Sequence, residues 1–290
     1  MKIAFFSTWH GRGTTTNAII TAINLAINYN AKVLLTHSQY MRSNLEDAFI
    51  QDKNNQENIL NFNDTGIDSI ERLVKSRQIQ AEDFPNYSIS VIDNRLDLLP
   101  GSKKSNIDLF SKDIEKSILD ILNKANQYYD FTIIDVNSGI GNTLTKKIID
   151  DCDLIVYCID QSEKNLKNFF EKDIKEINKD LVILLSRYDE NSKCSTEYVK
   201  SNFKWHDEIY SINYSTRLMD NMNNHSILKF FYSCNREEDE FFLKLNSLCE
   251  RVVEITKNKD NANITELQLE NQSLFSLKKL KELFKLGSEG

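Results

Sequence analysis

The chain has 290 residues, enough for one large domain or two small ones, and its 40% hydrophobic and 27% charged content is that of a packed protein. Its 36 basic and 43 acidic side chains leave a net charge of −7, which disfavours a generally basic nucleic-acid binder. Five cysteines without a CxxC pair point to reduced thiols in a cytoplasmic setting, and no 18-residue apolar run predicts a spanning helix.

In chain order, the apolar runs predict strands over Ile3–Ser7, Lys32–Thr36, Tyr87–Ile92, Leu96–Leu99, Phe131–Asp135, Leu154–Ile159, Leu181–Leu185 and Glu208–Ile212. Several are apolar at consecutive positions, as in AFF, VLL and LIVYCI, which marks strands covered on both faces. Helical patterns fall between them over Thr15–Tyr29, Ile67–Ser76, Ile107–Tyr128, Gly141–Asp150, Leu166–Ile177, Ser195–Phe203 and Glu237–Lys257. The alternation predicts an α/β class fold, a doubly wound and mostly parallel sheet with helices on both faces. The opening MKIAFFSTWHGRG has too short an apolar run for a secretory leader. Residues 1–258 read as the main domain, 259–273 as a polar linker, and 274–290 as a basic amphipathic terminal helix.

The first predicted strand runs into Thr8-Trp9-His10-Gly11-Arg12-Gly13-Thr14-Thr15-Thr16-Asn17 and then into a helix. A glycine-containing turn at a helix start points backbone N–H groups at one spot, where the helix dipole adds positive charge. Threonine hydroxyls there suit phosphate or Mg²⁺. The alternative is a plain tight turn with threonine N-caps.

Around this loop the chain resembles the ParA/MinD family of deviant-Walker ATPases, including its pilus-localisation branch, CpaE/TadZ. The family motif K-G-G-x-G-K-[TS]-[TS] falls on Trp9 to Thr16, keeping Gly11 and Gly13 and placing the Mg²⁺-binding hydroxyl at Thr15. Trp9 replaces the signature lysine and Thr14 the Walker lysine. The family's D-x-D-x-x-x-x-N-L-D becomes His37 to Glu46, with His37 and Gln39 in place of both aspartates. Leu96 to Gly101 resembles the strand ending in L-P-[AG]. Tyr129 to Gly139 resembles Y-D-x-I-I-I-D-x-x-x-G. The resemblance implies that Asp135 holds the Mg²⁺ shell and Gly139 senses the γ-phosphate. It places Ser186 and Arg187 at the V-x-N-R-Y element, with Ser186 where an asparagine reads adenine.

The resemblance implies an ATP and Mg²⁺ site formed by Gly11, Arg12, Gly13, Thr14, Thr15, Thr16, Asp135, Gly139, Ser186 and Arg187. Loss of a transition-state donor costs about 10²–10³ in rate, so two missing lysines and a missing carboxylate predict at most weak hydrolysis. Arg12 is the loop's only cation; it folds onto phosphate, or faces solvent or a partner carboxylate. Gln39 is the one candidate for orienting water. The expected function is a localisation or assembly factor with a degenerate ATP site. It would act as a homodimer on a positioning, pilus or secretion machinery, with nucleic acid disfavoured. The alternative is an active ATPase switch cycling between monomer and dimer to position or segregate cargo.

In the terminal segment, Leu277, Leu280, Leu283 and Phe284 share one helical face, and Lys278, Lys281 and Lys285 cluster on the other. Such a helix suits an anionic membrane surface, the inner face of the cell membrane under the resemblance; docking on the protein's own core or in a partner's groove are the alternatives.

Overall fold

The computed structural model describes residues 1–40, 44–49, 65–104, 106–139, 141–233, 239–260 and 264–265. Eight strands form one sheet: β1 (Lys2–Phe6), β2 (Val33–His37), β3 (Ile89–Ile92), β4 (Leu96–Leu98), β5 (Phe131–Asp135), β6 (Leu154–Ile159), β7 (Asp180–Tyr188) and β8 (Ile209–Asn213). Their order is β3-β4-β2-β5-β1-β6-β7-β8, parallel throughout except for the antiparallel edge pair β3/β4.

The helices among the described residues are α1 (Thr14–Asn28), α2 (Asn44–Asp47), α3 (Ile67–Lys75), α4 (Phe84–Tyr87), α5 (Ile107–Tyr128), α6 (Thr143–Asp151), α7 (Glu163–Glu171), α8 (Thr196–Phe203), α9 (Thr216–Asn223), α10 (Ile227–Ser233) and α11 (Glu240–Asp260). Alternate residues of each central strand feed two cores. Ile3, Phe5, Leu154 and Val156 join the core under α1 and α11, while Ala4, Phe6, Ile155 and Tyr157 join the core under α5 and α7. Period-two alternation with both faces apolar is the condition for a parallel sheet covered on both sides. The aromatic run Phe230, Phe231, Phe241 and Phe242 is buried in the α1 core.

All eight predicted strands are present, with ends shifted by a few residues. The predicted helix Leu166–Ile177 differs more. It starts at Glu163, ends at Glu171 and continues as a 3₁₀ turn over Asp173–Glu176. The break follows from Asp173, whose Oδ2 accepts from Thr8 Oγ1 at 2.6 Å and from the Tyr157 hydroxyl at 2.9 Å. The last helix reaches Asp260, two residues beyond the expected end of the main domain.

β1 lies between β5 and β6; the connection from β1 passes β5 to reach β2, while that from β5 passes β1 to reach β6 on the other side. The carboxyl ends of β1, β5 and β2 therefore meet at a topological switch point, where open α/β sheets bind ligands. Register places Phe5 and His37 level with Asp135.

Candidate functional site

The loop after β1 holds Gly11 and Gly13 at φ of +73° and +74°, a region glycine enters without steric cost. Gly13 caps α1, and no side chain caps the helix. The Asn17 N–H reaches the Gly13 carbonyl at 2.9 Å, so the preceding N–H groups of α1 lack intrahelical partners. No acidic side chain occupies this first turn. The threonines are thus not N-caps, as the plain-turn alternative requires; the helix start is free to receive an anion. Thr14 is buried, while Trp9 is 40% exposed.

Under the loop lies Asp135, buried at the end of β5. Its Oδ2 accepts from Thr15 Oγ1 at 2.7 Å and from Gln39 Nε2 at 3.1 Å. Its Oδ1 is buried with no hydrogen-bond partner among the described residues. Burial pushes this carboxyl up to about 6, against the opposing effects of Thr15, His37 and Gln39. A buried carboxylate with one uncompensated oxygen beside a hydroxyl suits a hard cation. Among the described residues no cluster of three or more His, Cys, Asp or Glu side chains forms a metal cage. Mg²⁺ fits such a sparse donor set, because it draws its remaining oxygens from water and phosphate.

His37 and Gln39 occupy the positions expected for aspartates, and the structure gives them different work. The Gln39 backbone N–H donates to His37 Nδ1 at 3.1 Å, which leaves the proton on Nε2 to donate to Glu46 Oε1 at 2.8 Å. The Gly101 N–H donates to the same Glu46 oxygen at 2.9 Å. A Cβ at Gly101 would sit 2.2 Å from His37 Cε1, so the glycine of the L-P-G stretch admits the imidazole. Gln39 donates to Asp135, so its amide is held on the carboxylate.

Arg12 forms an ion pair with Asp160 at the end of β6. Asp160 Oδ1 accepts from Asn165 Nδ2 at 2.8 Å. Arg12 Nε is buried with no hydrogen-bond partner among the described residues. Gly139, at φ +93°, donates its N–H to the Ser7 carbonyl at 3.2 Å and ties the β5–α6 loop to the end of β1.

Beside the loop is a shallow cleft lined by Gly13, Asn17, Ser186, Arg187, Tyr214 and Met219 among others. Asn17 Nδ2 donates to Ser186 Oγ at 2.7 Å. A Cβ on Gly13 would lie 3.3 Å from that of Ser186, so the loop packs directly on β7. The structure thus gathers Gly11, Gly13, Thr15, Gln39, Asp135, Ser186 and Arg187 at one end of the sheet. Leu277, Lys278, Leu280, Lys281, Leu283, Phe284 and Lys285 lie outside the described residues.

Asp160, Glu46, Asn17 and Tyr214 were not assigned roles from sequence. Asp160 had one usable signal: it directly follows a buried six-residue parallel strand, where ligand-facing residues concentrate.

No protein-family model and no curated relative matches the sequence. Solved structures do match in shape. A ParA family ATPase from Chlorobium tepidum superposes with a TM-score of 0.67 at 15% identity, covering 86% of this chain and 98% of that one. The cell division ATPase MinD from Pyrococcus furiosus gives 0.65 at 14% identity, covering 88% and 98%. The fold is that of the ParA/MinD ATPases. MinD from Pyrococcus horikoshii, solved with Mg-ADP, gives 0.63 at 16% identity over 88% and 98%.

Burial alone raises the Glu46 carboxyl, but the His37 and Gly101 bonds outweigh it and hold its pKa below the ordinary value. Its contribution to stability is therefore present at neutral pH and lost as the pH falls below about 4.3. Glu46→Gln is expected to cost about 1 kcal/mol or more at pH 7 and to approach the parent at pH 3, measured by urea unfolding at both pH values.

Proposed function

We propose that this chain is a ParA/MinD-like localisation or assembly factor with a degenerate ATP site, one that binds nucleotide weakly and hydrolyses it little. The observation that carries the reading is the pairing of Thr15 with the half-satisfied Asp135 beneath an uncapped α1, in a loop whose lysines are replaced. Thr15 and Asp135 would hold Mg²⁺, which supplies charge neutralisation between the β- and γ-phosphates when bound. The backbone N–H groups of Gly11 to Thr16 would cradle phosphate. Arg12 offers no free charge while Asp160 holds it, and Gln39 is engaged on Asp135. Binding elements thus persist where catalytic ones are lost or occupied.

On this reading the protein works as a homodimer that recruits a partner of a positioning, pilus or secretion machinery, with the CpaE/TadZ branch the best fit. An altered loop is tolerable there because binding, not turnover, is the output. The segment 274–290 would add a peripheral membrane contact, which one short helix sustains only weakly unless dimerisation doubles it.

Two measurements bear on this. The purified chain is expected to hydrolyse ATP slowly, and Trp9→Lys/Thr14→Lys to turn over about 10²-fold faster or more; a parent rate equal to that of active family ATPases contradicts the proposal. Anionic liposomes are expected to pellet the full chain and to leave in solution a chain lacking residues 274–290. Equal pelleting of the two removes the membrane contact.

A further inference from the structure

Thr8 opens the loop between β1 and α1, and its side chain is tied down from below. Its Oγ1 donates to Asp173 Oδ2 at 2.6 Å, and the Tyr157 hydroxyl donates to the same oxygen at 2.9 Å. The two hydroxyl oxygens lie 2.6 Å apart, so three oxygens close a triangle. The Thr8 backbone N–H also points to the Tyr157 hydroxyl, at 3.4 Å.

The supports of this triangle are rigid. Tyr157 is fully buried, and its ring packs 4.2 Å from that of Phe169 and 5.9 Å from that of Phe6. Asp173 is buried as well, and its Oδ1 accepts from Asn168 Nδ2 at 3.3 Å. A buried carboxylate is costly unless donors meet it. Asp173 meets three, and one of them belongs to the loop. The chain interrupts α7 at Glu171 and turns as a 3₁₀ segment over Asp173–Glu176, which delivers the carboxylate to that place. The same stretch holds the loop farther along, where Asp160, ahead of α7, pairs with Arg12.

The segment Thr8–Gly13 contains no lysine to gather it around an anion. A loop already held in shape avoids the ordering cost that binding otherwise carries. We infer that Asp173 is a positioning residue of the phosphate site, acting through Thr8 to keep the loop amides aimed at one point. This rests on the phosphate-binding reading above and deepens it. Charge gives the inference a sign that can be checked. Removing a carboxylate near an anion site tightens binding on Coulombic grounds. Removing a positioning group weakens it.

The chain has two tryptophans, so in a Trp205→Phe background Trp9, next to Thr8 and 40% exposed, reports loop motion through its fluorescence anisotropy. The full chain in that background is titrated with Mg-tripolyphosphate, alone and with Asp173→Ala, Asp173→Asn or Thr8→Val. Asp173→Ala and Thr8→Val are expected to bind about tenfold more weakly and to lower the Trp9 anisotropy, which saturating tripolyphosphate restores. Asp173→Asn keeps an oxygen that accepts from both hydroxyls, and is expected to bind as tightly as the reference chain or more so. Asp173→Ala binding as tightly as the reference, or more weakly with Trp9 anisotropy unmoved, overturns the positioning role and leaves the phosphate site standing. Asp173→Asn as weak as Asp173→Ala does the same. Where Asp173→Ala does not fold, Thr8→Val decides, and reference-like affinity and anisotropy in it overturn the role. A reference chain that binds no tripolyphosphate at millimolar concentration overturns the phosphate site itself, and the positioning role with it.

Discussion

A carboxylate buried at the end of a parallel strand is costly unless something positive or hydrogen-bonding meets it. Asp135 is such a group, and much of the surrounding structure is arranged on it. Thr15 reaches it from the start of α1 and Gln39 from the end of β2, and both settle on the same oxygen. The other oxygen has no partner among the described residues. Three segments distant in sequence are thus drawn to one point, and what they leave uncompensated has the chemistry of a cation site. The glycines at 11 and 13 let the backbone turn tightly enough to bring α1 over that point.

Around this centre the polar side chains are tied up by one another. His37 takes an aspartate's place and is held between the Gln39 backbone and Glu46, in a space that only a glycine at 101 leaves open. The single loop cation, Arg12, is neutralised by Asp160. Phosphoryl transfer depends on positioned charge more than on covalent chemistry, so on the proposed function these neutral or paired groups would weaken turnover more than binding.

Much of the fold was legible because the signals are local. Runs such as Leu154–Ile159 are apolar at every position, and their short length between polar flanks fits a strand buried on both faces. The segment ending in Asp135 and the turn at Gly139 could be read the same way, since strand, carboxylate and glycine are contiguous. Short helices α9 and α10 escaped notice because eight- and seven-residue segments span barely two turns and show little period. The end of α7 was misplaced because Asp173 answers to Thr8 and Tyr157 as well as to Asn168 of its own helix. The Arg12–Asp160 pair and the His37–Glu46–Gly101 packing were invisible for the same reason. They join residues by tertiary contact, and no spacing rule encodes them.

The central claim is that backbone amides at the start of α1 and the Thr15–Asp135 pair still form one ligand site without the usual lysines. A crystal structure of the full chain grown with Mg²⁺ and a non-hydrolysable nucleoside triphosphate tests it most directly. The account predicts phosphate oxygens over the Gly11–Thr15 amides and the Thr15 hydroxyl turned from Asp135 to the metal. Crystals grown at saturating nucleotide with an empty loop, and with Thr15 still bonded to Asp135, would contradict it.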